Sequence, residues 1–226
     1  MPSAETFVSD FHEKNQASLE RHLTTFRSAI LKESLEVVDF LRLAMKDAIE
    51  AAEVAALWFV DCDDLEMKIS FAEQCGTAAR HHRLLTSRLA VLGAEPFDPR
   101  HGGYSRFFGF LRSLQTPEER AAAAEVTLRT FMLGRLSIYA ETCTEKGDAE
   151  SAALLGTDIA DDQRKIFDVG WRRLITAADI EESQARARRA AYRIVELAGE
   201  VVDPLQVRKA LPKRRPVVPP PPATVG

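Results

Sequence analysis

The chain has 226 residues, 46% of them hydrophobic and 28% charged, and a net charge of −4. That is long enough to bury one sizeable core with tails to spare. It is ordinary for a globular protein, and the acidic balance gives no overall case for nucleic-acid binding.

Apolar spacing predicts an all-α protein: strand-like alternation is absent, and Gly and Pro fall at a few joints. Residues 4–25 give a first helix with a weak apolar stripe, within an N-terminal extension of residues 1–27. A long helix is predicted from Ser28 to Val60, with Leu31, Leu35, Val38, Met45, Ile49, Ala56 and Phe59 on one face. Asp61, Asp63 and Asp64 supply a turn and a helix start. The next helix spans Leu65 to Leu92 with Phe71, Cys75, Ala78, His82, Leu85 and Leu89 inward. Gly93 caps it, and Pro96 and Pro99 prevent its resumption. Residues 97–115, containing HGGYSRFFGFLRSL, form a long crossover carrying a short helix.

Thr116-Pro117-Glu118-Glu119 is a helix start with a capping box and a proline in the first turn. The helix it opens reaches about Lys146, with Glu125, Met132, Leu136, Tyr139 and Cys143 inward, and Gly147 stops it. Asp148 caps a fourth helix to about Thr176, turning Leu155, Ile159, Asp162, Ile166 and Val169 inward. A basic helix follows from Ile180 to Gly199, within residues 179–202. From Arg172 to Arg215 the chain carries eleven Lys or Arg against six Asp or Glu, so this end is positive within an acidic whole. After Asp203-Pro204, residues 203–226 end in KRRPVVPPPPATVG, which cannot pack a core and reads as a disordered or polyproline tail. Residues 28–178 thus form a four-helix bundle with a long connection between its halves.

Cys62, Cys75 and Cys143 are an odd number without CxxC spacing, read as small buried residues in a reducing compartment. The start lacks a basic and then apolar leader, and no stretch reaches the roughly 18 apolar residues of a membrane span. A cytoplasmic location is expected. His12, His22 and His101 show no partner spacing and read as surface residues. No GxSxG, Walker or GxGxxG pattern occurs, so serine hydrolysis, nucleotide hydrolysis and dinucleotide binding have no support.

The segment ISFAEQCGTAARHHRLLTSRLAVLGAEP resembles the second bundle helix of the ferritin-like superfamily of di-iron carboxylate proteins, and DIADDQRKIFDVGWRRL resembles its fourth. The likeness covers roughly residues 28–176. It implies two iron ions held by one Glu from each of two helices and a Glu-x-x-His pair from each of the others. Matched residue by residue, the first pair falls on Ala78 and His81, with His82 beside it; the two imidazoles lie on either side of the inward line. The second pair falls on Asp162 and Lys165, and a charged Lys cannot ligate a metal. Glu50 and Glu53 are alternatives for the first single Glu. Family spacing places Arg129 at the other, with Glu125 one turn earlier. The metal candidates are therefore Glu50, Glu53, His81, His82, Glu125 and Asp162, enough for a mononuclear site, while the family's dinuclear one is hard to build from them.

Cations at Arg129 and Lys165, near Asp158, Asp162 and Glu125, suggest that an internal ion-pair network replaces the metal, because buried carboxylates without a counter-charge are costly. The favoured reading is a bundle without cofactor that acts as a structural or interaction partner, as a homodimer or with another protein. The basic helix 180–199 and the proline tail are possible docking segments. The alternative is an iron- or manganese-dependent oxidase or hydroxylase with a reduced site. A third reading makes the emptied core a pocket for an apolar ligand.

Overall fold

The computed structural model describes residues 3–96 and 103–201; the proline tail and His101 lie outside the described residues. The described chain is all-α. Helix α1 spans Ala4–Glu33, α2 Val37–Asp61, α3 Leu65–Val91 and α4 Arg106–Leu111. Helix α5 runs on without a break through Pro117–Arg120, a π-helical stretch Ala121–Leu128, and Arg129–Glu145. Helix α6 repeats that plan through Ala149–Ala153, the π-helical Leu154–Ile159, and Ala160–Ala177. Helix α7 spans Glu181–Val201.

Most boundaries follow local chemistry visible in the sequence. Asp64 accepts from the Met67 amide at 2.7 Å and opens α3. Thr116 and Glu119 form the reciprocal box at the start of α5. Gly93 and Gly147 adopt positive φ at the ends of α3 and α5, where a side chain would be strained. The helix predicted from Ser28 does not exist as one piece. Ser34 turns left-handed at φ 51 and ends α1, and Glu36 with Asp39 builds a capping box that starts α2. The break moves the inward face: Phe40, Leu41, Met45, Val54 and Trp58 are buried, whereas Leu31 and Phe59 are exposed.

The long helices α2, α3, α5 and α6 enclose the larger core. Asp47–Arg135 and Phe40–Tyr139 contacts run α2 antiparallel to α5. His81–Asp162 and Arg88–Asp148 pairs run α3 antiparallel to α6. α3 and α5 run the same way, as the passage through α4 requires. A second core joins Phe7, Val8 and Phe11 of α1 to Ala121, Ala122 and Val126 of the π-helical stretch, with Leu174 and Ala191. The weak stripe of α1 is therefore well buried, and so is one face of the basic helix, through Ala187, Ala191, Ile194 and Ala198. Both pack on α5 because a run of alanines lets helix axes approach closely.

Candidate functional site

Polar and charged side chains form a belt across the interior, and Glu125 is its most enclosed member, with no exposed surface. It sits in the π-helical stretch of α5, a geometry that recurs at functional sites. Gly170 of α6 lies directly against it: a Cβ there would stand 3.2 Å from the Glu125 Cα and would overlap its Cβ. That close approach brings Arg173, one turn on, within 2.5 Å of Glu125 Oε1, and Gln74 of α3 donates to the same oxygen at 2.7 Å. Glu125 Oε2 is buried and accepts no hydrogen bond.

One level along, the imidazole of His81 meets Asp162 at 2.9 Å, and Arg80 and Lys165 pair with the same carboxylate. Burial lowers the His81 pKa, the Arg80 and Arg129 charges push it further down, and Asp162 only partly opposes them. Burial alone would raise the Asp162 pKa; the hydrogen bonds from His81 and Lys165 and the Arg80 charge outweigh it and hold it below the usual range. The pair therefore favours a neutral imidazole beside an ionised carboxylate.

On α2 and α5, Asp47 meets Arg135 at 3.1 Å, and Arg135 donates to Tyr139 at 2.6 Å beneath the rings of Phe26 and Phe131. Desolvation pushes the Asp47 carboxyl up to about 6 against the pull of Arg135, and the Tyr139 hydroxyl up to about 12. Arg135 is raised despite burial, because Asp47 and Tyr139 face it. Glu50 accepts from Lys46 at 2.8 Å and from the Ser105 amide at 2.8 Å, which ties α2 to the start of α4. Arg129 donates to Gln163 at 2.5 Å, and desolvation brings its pKa down to about 10.

The structure thus unites His81 with Asp162 and sets Glu125 one helical turn before Arg129. It turns His82 to a half-buried position, where desolvation and Arg83 lower its pKa. Glu50 faces Ser105 and Lys46, and Glu53 lies beside the exposed Tyr104 hydroxyl. Two expectations about the replacement network are corrected. Asp158 is exposed on the outer face of α6 and lies outside the core. Lys165 reaches Asp162 at 3.1 Å with a side chain 76% exposed, because its long stem carries the ammonium out to water. Cations inside or bordering the interior include Arg173, Arg129, Arg135, Lys46 and Arg120, and of these the sequence points only to Arg129. His12 and His22 are half-buried: His12 packs on Phe167 and Trp171, and His22 lies against Gly199.

Glu125, Glu50, Asp47 and Asp162 are each already bonded to Arg, Lys, His or backbone donors. Among the described residues no three His, Cys, Asp or Glu side chains converge as a metal site needs. A dication at this level would also face Lys46, Arg129, Arg135 and Arg173. The residues present do not fit a dinuclear iron centre. No helix of the described residues is long and apolar enough to cross a membrane. Comparison with protein-family models, with curated proteins and with solved structures gives no match.

Proposed function

We propose that this chain is a ferritin-like four-helix bundle that has given up iron chemistry and serves, without a cofactor, as a structural or interaction partner. The observation that carries this reading is Glu125: an acid with no exposed surface, one turn before the position where the family spacing expects a ligand, has its charge balanced by Arg173 and its Oε1 bonded by Gln74 as well. A buried carboxylate needs a compensating charge from somewhere, and here the protein supplies it. The order of α2, α3, α5 and α6, with α3 and α5 running the same way, supports the ferritin-like part of the reading. Leu57, Phe59, Val60, Leu65 and Ile69 leave apolar surface exposed around the α2–α3 turn, which supports a homodimer or a protein partner. The free thiols of Cys62, Cys75 and Cys143 support a cytoplasmic location.

The test is elemental analysis and oxygen consumption of protein purified from iron- and manganese-supplemented culture, with light scattering on the same sample. The reading expects far less than one metal ion per chain, no oxygen uptake, and a mass above that of the monomer. Stoichiometric iron or manganese with oxygen uptake would replace it by the metal-dependent oxidase or hydroxylase.

A further inference from the structure

Two voids lie in the interior on either side of Arg129, of about 50 and about 40 Å³. Asp47, Ala51, Gln74, Arg129 and Met132 belong to the walls of both. The larger adds Glu50 and Ser105, which bond to each other, and is otherwise apolar, built from Val54, Ala55, Trp58, Phe107 and Leu111, with α4 as its roof. Two buried donors on its wall meet no acceptor: the Nε of Arg129 and the indole Nε1 of Trp58. Buried donors are nearly always satisfied, so these two call for an acceptor.

Charge narrows the choice. Arg129 is the cation in the wall of this void, and Asp47 and Glu50 are its acids. Asp47 is taken by Arg135, Glu50 by Lys46, and Glu125 by Arg173. Arg129 is left with the neutral Gln163. Burial lowers its pKa, and the charges of Glu125 and Asp47 only partly oppose it. An anion in this void that accepts from the Arg129 Nε and the Trp58 indole would fill both donors and pair the guanidinium, while the apolar part of the wall asks for hydrocarbon. Size sets the limit. At about 10–15 Å³ of such space per water, the larger void holds about four waters, or a molecule of a few heavy atoms.

We infer that this void is a binding site for a short-chain aliphatic monocarboxylate, with the carboxylate on Arg129 and Trp58 and the alkyl chain toward Val54 and Leu111. This goes beyond the metal-free reading above and does not depend on whether the chain dimerises.

Sodium butyrate is the probe, titrated at constant ionic strength into the full-length protein, with sodium chloride and 1-butanol as controls. Two readouts are followed: the melting temperature and the indole cross-peak of Trp58, identified in a Trp171→Phe background because the chain has 2 tryptophans. Butyrate is expected to raise the melting temperature to saturation and to shift the Trp58 peak, with neither control doing so. Arg129→Met is expected to weaken binding at least about tenfold, as loss of a charge-assisted hydrogen bond does. Trp58→Phe keeps the ring and removes only the donor, so it reads the site even if Arg129→Met folds poorly, and it is expected to weaken binding severalfold. A Trp58 peak that stays still throughout the titration would overturn the proposal and leave the void to water. So would butyrate acting no more strongly than chloride or butanol, or unchanged affinity in both variants.

Discussion

Arg173→Met isolates the interaction on which the charge balance of the interior depends. Arg173 is 14% exposed and Glu125 fully buried, so solvent screens their 2.5 Å contact little. Removing one partner of a buried pair strands the other, at about 3–5 kcal/mol. The guanidinium also lies 5.5 Å over the Phe71 ring, and losing that contact adds roughly 0.5–1 kcal/mol. Methionine refills most of the aliphatic volume, so packing contributes little. A net cost of about 4 kcal/mol is a large share of the about 5–15 kcal/mol that holds a domain folded. For a chain of this length it lowers the melting temperature by roughly 8–16 °C. The assay is urea denaturation followed by far-ultraviolet circular dichroism. Adding Glu125→Gln to the variant removes the stranded charge and keeps an acceptor for Gln74, so the double variant is expected to recover at least about 1.5 kcal/mol over Arg173→Met alone. A cost for Arg173→Met below about 0.5 kcal/mol, the range of a surface pair, would refute the reasoning. So would a double variant less stable than the single.

Lys165→Met, by contrast, removes a cation that is already in water, and its cost is expected to stay below about 1 kcal/mol in the same assay. Gly170→Ala forces a methyl into the Glu125 backbone, and a loss of about 3 kcal/mol or more is expected from thermal unfolding, whereas Gly76→Ala, mid-helix where a Cβ meets open space, is expected to gain up to about 1 kcal/mol. Acid should weaken the fold through histidine. Burial lowers the pKa values of His12, His22, His81 and His82 from 6.5, so the unfolded chain binds protons that the folded one refuses. Stability is then full above that value and falls as the pH drops from it toward the folded-state values, and His81→Gln flattens part of the decline. Asp47 works in the opposite sense: its carboxyl near 6 keeps a proton that the unfolded chain has released, so its contribution is lost as pH rises through 6. Asp47→Asn should therefore steepen the acid decline between about pH 4 and 6.

Helix starts and stops were legible because their causes are local: Asp64, Thr116 with Glu119, Gly93 and Gly147 each act within one turn. The inward positions of Glu125 and Asp162 followed from helical spacing alone. The choice between His81 and His82 did not, because the two flank the inward line, and packing against Asp162 decides it. The break at Ser34 is not legible in the sequence, because neither a left-handed Ser nor a Glu at a helix N-cap is a usual signal. The partners of Glu125 were hidden for another reason. Arg173 lies 48 residues away, and only the fit of Gly170 against the α5 backbone brings it in. Lys165 shows the converse: the pair with Asp162 follows from its i, i+3 spacing, but spacing says nothing of whether a long side chain stays inside.

The central claim is that side-chain cations, rather than a metal, balance the buried acids. The most direct test compares thermal unfolding of the protein freed of metal by chelation with unfolding during titration of ferrous iron or manganese without oxygen. The account predicts superimposed curves with a helical, folded state in both. A melting temperature that climbs with added metal and saturates at one or two ions per chain would contradict it, since only a site present in the folded state can be stabilised in that way.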